Sequence, residues 1–150
     1  MSPHQSQILV NIKKYCAYSE RCIQDVKEKL HSWHVSEPMI RKIIKELEWD
    51  DFVNEERYAK VYAVSKMRNN KWGINKIIYS LQRKGIPELY IQIGISSIDR
   101  DEYINILKGV LSSKKIEEDD EWVRKNKLVR YGVQKGFQPE LCWKVINGEL

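Results

Sequence analysis

The feature that most constrains the fold of this chain is an internal repeat with a period of 51 residues. Four columns of residues recur at that interval in a single register and without a gap. The columns are Val26, Ile77 and Leu128; His34, Gly85 and Gly136; Val35, Ile86 and Phe137; and Ile44, Ile95 and Ile146. Because several columns share one register, the pattern indicates internal duplication, and the chain should contain three copies of one structural unit.

Each copy is predicted to contain three helices, most clearly the middle one. Its first helix should run from about residue 55 to 69, after Asn54 as the N-cap. Its second should begin near Trp72 or Gly73 and end at the left-handed Gly85. The second helix carries an apolar stripe at the i, i+3, i+4, i+7 spacing of one helix face. The stripe consists of Ile74, Ile77, Ile78 and Leu81. The third helices should open at Ser36, Pro87 and Gln138, which share a register.

The sequence therefore predicts an all-α fold of three tandem three-helix repeats. The expected boundaries give an N-terminal repeat over 1–53, a middle repeat over 54–98 and a C-terminal repeat over 99–150. Repeats of this kind contact mainly their neighbours in sequence, so the body should be elongated and curved rather than spherical.

The net charge of +5 is concentrated in one copy. Residues 1–53 hold 8 basic and 8 acidic side chains, and residues 99–150 hold 10 of each. Residues 54–98 hold 8 basic and only 3 acidic side chains, so the whole excess lies there. At 100° per residue, three polar positions of the second middle helix fall opposite the isoleucine stripe. With their neighbours they form the candidate partner-binding set: Arg68, Lys71, Trp72, Lys76, Tyr79 and Arg83.

Cations interleaved with aromatic rings suit nucleic acid, through phosphate neutralisation and base stacking. They suit an acidic protein groove equally well. The alternative is an ordinary solvated helix face, since any surface helix exposes polar residues.

Several classes of protein are disfavoured. No apolar run approaches the roughly 18 residues of a membrane span, and the N-terminal segment does not have the pattern of a secretory signal. We therefore expect a cytoplasmic protein, with no membrane partner. Cys16, Cys22 and Cys142 form no C-x-x-C pair and are interpreted as core residues. Cys22 with His31 and His34 fits no common zinc spacing, so neither a metal nor a cofactor is predicted.

Catalysis is also disfavoured, because no phosphate-binding loop, G-x-S-x-G or H-E-x-x-H motif occurs. The acidic run over 117–121 is interpreted as a helix start rather than a metal site. The tryptophans are expected mostly to pack between repeats, with Trp72 the one placed where it could be exposed. They are Trp33, Trp49, Trp72, Trp122 and Trp143.

Four segments resemble motifs of one known protein family. The block Phe52-Val53-Asn54-Glu55-Glu56-Arg57-Tyr58-Ala59 is similar to the family's Asp/Asn-Glu-x-Arg-Phe/Tyr-Ala. Lys71-Trp72-Gly73-Ile74 and Leu81-x-x-Lys84-Gly85-Ile86 resemble the rest of that motif. Gln134-Lys135-Gly136-Phe137 is similar to the family's Arg-Arg-Gly-Phe, with one arginine replaced by glutamine. With the repeat, the resemblance to this family, the RecX family, extends from about Tyr15 to Ile146.

The resemblance implies a regulator that binds the filament of RecA recombinase on DNA and inhibits its ATP hydrolysis and strand exchange. It implies a non-enzymatic protein, expected here to act as a monomer. The second interpretation is a protein that binds single- or double-stranded DNA directly, with Lys76, Tyr79 and Arg83 as its contact face. The third is a helical scaffold whose partner is another protein. Attachment along the filament groove or at its end, and inhibition or stimulation, stay open at this point.

Overall fold

A computed structural model describes residues 1–150 and contains nine α-helices and no strand. The helices are α1 (Pro3–Tyr18), α2 (Ile23–Ser32), α3 (Glu37–Trp49), α4 (Glu55–Asn70), α5 (Ile74–Arg83), α6 (Glu88–Ser96), α7 (Arg100–Ser113), α8 (Glu121–Gln134) and α9 (Pro139–Ile146). The prediction of an all-α chain of three-helix repeats is confirmed. None of the helices is both long and apolar enough to cross a membrane. The terms first, middle and last copy are used below for α1–α3, α4–α6 and α7–α9, and the exact boundaries between copies stay a prediction.

The helix ends follow the local signals in the sequence. Asn54 and Asp99 cap α4 and α7 by accepting hydrogen bonds from the backbone three residues on. Ser36, Pro87 and Gln138 are the N-cap residues of α3, α6 and α9. The turn after the second helix of each copy is left-handed at one column of the repeat, with φ of 58° at His34, 74° at Gly85 and 99° at Gly136. The repeat therefore extends to the backbone conformation of its turns.

The buried side chains form two hydrophobic cores rather than three. One lies within α1–α3 and the loop that follows. The other runs continuously through α4–α9 and includes a single residue of the first copy, Cys22. The chain exposes 9174 Å², whereas a compact protein of 17.9 kDa would expose about 8,000 Å². The larger surface is that of an elongated body.

The middle and last copies are joined through backbone hydrogen bonds at the start of α5. The amides of Gly73 and Asn75 donate to the carbonyl oxygens of Lys135 and Gly136, at 2.8 and 2.9 Å. Between them the amide of Ile74 donates to the Tyr103 hydroxyl at 2.9 Å. Since the first amides of a helix have no partner within it, the last copy supplies the acceptors that α5 lacks.

The first and middle copies are joined mainly through side chains. The Ile23 amide, at the start of α2, donates to the Glu55 carboxylate at 3.0 Å. Arg57 pairs with Glu20 at 2.7 Å, and Lys84 pairs with Asp25 at 3.5 Å. Ile23 and Ile74 lie 51 residues apart, so the second helix of each of these two copies is capped by a side chain of the next.

The expectation that the tryptophans pack between repeats is wrong for three of the five. Trp49 and Trp122 are 88% and 71% exposed, and Trp33 is 36% exposed. Trp49 ends α3, Trp122 is the second residue of α8 and Trp33 follows α2, so all three lie at helix ends instead of at a junction. Trp143 does pack against the larger core.

Candidate partner-binding surface

Helix α5 has the two faces that its sequence predicts. Ile77 and Leu81 are fully buried, while Lys76, Tyr79 and Arg83 on the opposite face are exposed. Tyr79 accepts a hydrogen bond from Arg83 at 3.2 Å, and the guanidinium lies 5.8 Å from the ring centroid. A cation and an aromatic ring are therefore presented together on the outer face of the helix.

Trp72, in the loop before α5, extends the exposed surface of α5 to the neighbouring helix α4. Its ring is half-buried against the larger core. The ammonium groups of Lys66 and Lys76 lie 5.0 and 4.7 Å from its centroid, within the range of cation–π attraction. Lys66 also lies 5.4 Å from the ring of Tyr62. We call the resulting surface the cation–aromatic face; it consists of Tyr62, Lys66, Trp72, Lys76, Tyr79 and Arg83.

Ion pairing divides the eight basic side chains of the middle copy into two groups. Half of them have a carboxylate partner: Arg57, Lys60, Arg68 and Lys84. The other half have none and lie between the C-terminal half of α4 and the end of α5: Lys66, Lys71, Lys76 and Arg83. Unpaired positive charge is therefore concentrated where the sequence places the candidate surface.

Arg68 differs from the other predicted cations because it forms a two-pronged ion pair with Glu102 of the last copy, at 2.6 and 2.9 Å. The hydrogen bonds from Arg68 hold the pKa of Glu102 below its usual value and raise that of Arg68. Both groups are therefore charged at neutral pH, and Glu102 offsets the charge that Arg68 would offer to a partner.

Lys71 lies at the edge of the predicted set. It is the C-cap of α4, with a left-handed φ of 55°. Its side chain lines a cleft of about 730 Å³ formed with α7 and α8, together with Asp101, Tyr131 and Lys135. Two further lysines lie near the ring of Tyr131, Lys114 at 5.0 Å and Lys135 at 5.8 Å. Lys71 thus faces the junction with the last copy, whereas Lys76 and Arg83 face outward.

The cation–aromatic face belongs to the middle copy alone. One repeat earlier, the positions of Lys71 and Lys76 are occupied by Glu20 and Asp25. One repeat later, the position of Lys76 is occupied by Lys127, which pairs with Glu118. The shared helix arrangement therefore presents a different charge in each copy.

Sequence reasoning missed Lys66, although a signal was present. Lys66 follows Tyr62 by four residues, a spacing that puts both on one side of a helix. Its proximity to Trp72 depends on how the loop of residues 71–73 returns beside α4, which no local pattern specifies.

The chemistry of this surface is that of binding. Its rings can stack and its ammonium and guanidinium groups can neutralise phosphate or carboxylate. The structure contains no group of three histidine, cysteine, aspartate or glutamate side chains placed to hold a metal ion. Burial raises the pKa of each of the three thiols, Cys16, Cys22 and Cys142, to about 11, which disfavours the reactive thiolate.

Comparisons with known proteins agree on one family. Residues 54–94 match the family model described as RecX, second three-helix domain. A Regulatory protein RecX of Clostridium perfringens (strain SM101 / Type A) is 30% identical over 129 residues, covering 83% of this chain and 59% of that protein. One of Clostridium botulinum (strain Alaska E43 / Type E3) is 32% identical over 130 residues, with the same coverage. The chain thus spans about three fifths of the length of these relatives.

Two crystal structures share the fold. RecX from Lactobacillus salivarius superposes with a TM-score of 0.86, over 99% of this chain and 97% of that chain, at 21% identity. A second structure, of regulatory protein RecX, gives a TM-score of 0.85 over 95% of this chain and 73% of that chain, at 20% identity. The likeness extends over all three copies and concerns the fold.

Proposed function

Because this chain belongs to the RecX family, we propose that it regulates RecA by binding the RecA–DNA filament and lowering its ATP hydrolysis and strand exchange. The observation that carries the proposal is the cation–aromatic face of this chain. It offers unpaired positive charge, and the proposed partner holds a polyanion, the DNA. We further propose that it acts in the cytoplasm, as a monomer and without catalysis of its own.

Electrostatics supports the middle copy as the docking region. The unpaired cations Lys66, Lys76 and Arg83 lie along one continuous surface with two aromatic rings between them. Exposed charges of this kind mainly set the rate and orientation of encounter and are screened by salt. Each cation should therefore add a modest increment, and the group should matter more than any member.

The shape of the chain supports a long partner. Three copies in an elongated array expose a surface along their whole length, which a repeating filament can engage at several points.

The direct test is ATP hydrolysis by the cognate RecA on single-stranded DNA, with increasing amounts of this protein. We expect hydrolysis and strand exchange to fall at amounts below one molecule per RecA protomer. Unchanged rates, at concentrations well above that of the filament, would contradict the proposal.

The site is tested by reversing Lys71, Lys76 and Arg83 together to glutamate. Binding to the filament should weaken by far more than in any single variant, and its dependence on salt should become shallower. The variant should melt like the parent, because all three side chains are exposed.

A matched control reverses three exposed cations of the last copy that have no ion-pair partner, Lys108, Lys115 and Arg130. The net charge changes by the same amount, so a specific middle-copy surface predicts little loss. If the control weakens binding as much as the middle-copy triple, the effect is one of net charge and the surface is wrongly placed.

A second candidate function is direct DNA binding, which is favoured by one observation: two ammonium groups, those of Lys66 and Lys76, lie within 5.0 Å of the centroid of the Trp72 ring. Aromatic rings next to cations suit nucleic acid, whose bases stack and whose phosphates are neutralised. Titration of bare and RecA-coated DNA separates the two functions. Tight, steeply salt-dependent binding to bare DNA favours the second, and binding to the coated form alone favours the first.

A further inference from the structure

The two junctions between copies use the same positions of the repeat but differ in how closely they are packed. At the middle–last junction, the turn at Lys135–Gly136 lies directly on the start of α5 and accepts hydrogen bonds from Gly73 and Asn75. Gly136 is buried there. A Cβ on it would lie 2.4 Å from the Cβ of Lys76, a distance at which atoms overlap. This junction has no free space.

At the first–middle junction, the equivalent turn at Lys84–Gly85 stands away from the start of α2. Gly85 is exposed, and a Cβ on it would meet nothing within 4 Å. A cavity of about 340 Å³ lies here, lined by Ile23, Gln24, Lys27, Glu55, Lys84 and Gly85. The Gln24 side chain reaches the turn, with its amide nitrogen 3.3 Å from the carbonyl oxygen of Arg83.

The residue that precedes the second helix differs between the two junctions. Cys22 occupies the column of Gly73, 51 residues earlier. A Cβ built on Gly73 would lie 2.1 Å from the carbonyl carbon of Gly136 and 2.2 Å from the Phe137 nitrogen. Close docking of the turn therefore requires glycine in this column. Cys22 has a Cβ, so the turn at Lys84–Gly85 cannot approach α2 in the same way.

Cys22 is also the one buried contact of the first copy with the larger core. The remaining links across this junction are polar side-chain contacts: Ile23 with Glu55, Arg57 with Glu20 and Asp51, Lys84 with Asp25, and Gln24 with Arg83. Ion pairs near the surface contribute little stability and are screened by salt. The junction thus consists of one buried pivot surrounded by weak, salt-sensitive links.

We propose that the first copy turns as a unit about Cys22, relative to a rigid body formed by the middle and last copies, and that the Cβ of Cys22 prevents this junction from closing. Rotation at the pivot changes the angle of the first copy to the rest of the elongated body. The inference is independent of RecA or DNA binding, because it rests on the two junctions alone.

The motion is tested by pulsed electron paramagnetic resonance on the full chain, with spin labels at exposed positions. The pair K45C/Q92C spans the first junction and the pair Q92C/K144C spans the second. The parent, whose three cysteines are all buried, is the labelling blank. We expect a broader distance distribution for the first pair. It should broaden further from about 0.1 M to about 1 M salt, as the screening length falls from about 10 Å to about 3 Å. Equally narrow, salt-insensitive distributions for both pairs would overturn the proposal.

The role of the Cβ is tested by Cys22→Gly and Cys22→Ala, each carrying the K45C/Q92C pair. Cys22→Gly should shift and narrow the distribution as the turn docks, whereas Cys22→Ala, which lacks the thiol but keeps the Cβ, should resemble the parent. A folded Cys22→Gly variant with the parental distribution would refute the role of the Cβ. Should Cys22→Gly fail to fold, Gly73→Ala gives the reverse test: it should broaden the Q92C/K144C distribution, and an unchanged width would count equally against the proposal.

Discussion

The hydroxyl group of Tyr103 makes two hydrogen bonds at the junction between the middle and last copies. It accepts a hydrogen bond from the amide of Ile74 at 2.9 Å and donates one to Oε1 of Gln138 at 2.6 Å. The side chain is 2% exposed, and its ring packs on Phe137 with centroids 5.3 Å apart. Burial raises the pKa of Tyr103 to about 12, so the hydroxyl keeps the proton that it donates to Gln138 at neutral pH. Tyr103→Phe removes this oxygen and keeps the ring.

The cost of Tyr103→Phe follows from the two lost partners. The Ile74 amide would be left without an acceptor, which costs about 1–3 kcal/mol, and the bond to Gln138 contributes about 0.5–1.5 kcal/mol net. Phenylalanine has no hydroxyl group to be dehydrated on folding, and the absence of this cost offsets part of the loss. We expect the free energy of unfolding to fall by about 2–3 kcal/mol. For a chain of this length that lowers Tm by about 5–10 °C.

The assay is urea unfolding followed by far-UV circular dichroism, with Tyr79→Phe as the control. Tyr79 also bonds through its hydroxyl, to Arg83, but it is 58% exposed, so water replaces the lost partner. Its substitution should change stability by no more than about 0.5 kcal/mol. Equal losses for the two variants would refute the argument that the Tyr103 hydroxyl caps α5 from the next copy.

Three further substitutions test the packing and the junctions. Ile77→Asp should unfold or severely weaken the middle copy, because a buried unpaired carboxylate costs several kcal/mol, while Lys76→Asp should melt like the parent; similar losses in the two would contradict the assigned helix faces. Gly136→Ala should destabilise the chain well beyond Gly85→Ala, since both have positive φ but only Gly136 is enclosed by neighbours; equal melting temperatures would contradict this. Burial raises the pKa of Glu55, so the folded state binds a proton more tightly than the unfolded chain, and the stability from this group is complete below the unfolded pKa and lost as pH rises through the folded one. From pH 7 towards about pH 5 the parent should therefore gain stability relative to Glu55→Gln, and parallel pH profiles in urea titrations would exclude this effect.

The helices, their caps and the core columns could be predicted because the signals for them are local. Asn54, Asp99 and the left-handed glycines act within one turn of their own positions, and the isoleucine stripe of α5 is visible as periodicity. The helix positions of the middle copy, whose signals are the clearest, could then be assigned to the other two copies by the 51-residue register. It also placed Gln138 at a helix start, although glutamine is not among the preferred N-cap residues.

The pairing of charges could not be predicted, because it depends on which copies meet. Arg68 pairs with Glu102, which lies 34 positions later in the sequence. No residue close to Arg68 in the sequence indicates that a carboxylate will be its partner. The exposure of Trp49 and Trp122 is likewise set by the location of helix ends in the assembled array. Composition predicts large aromatic residues to be buried, and only the positions of neighbouring helices decide otherwise.

The same excess of basic residues in the middle copy accounts for both the assembly of the chain and its candidate surface. Three of its paired cations use carboxylates that belong to the neutral neighbouring copies: Arg57 and Lys84 pair with the first copy, and Arg68 pairs with the last. The acids that balance the middle copy are therefore located at its junctions. The side chains of Lys76 and Arg83 project from the outer face of α5, away from these carboxylates, and have no ion-pair partner. The free charge on this face is therefore what remains of the basic excess after the carboxylates of the neighbouring copies have paired with Arg57, Arg68 and Lys84.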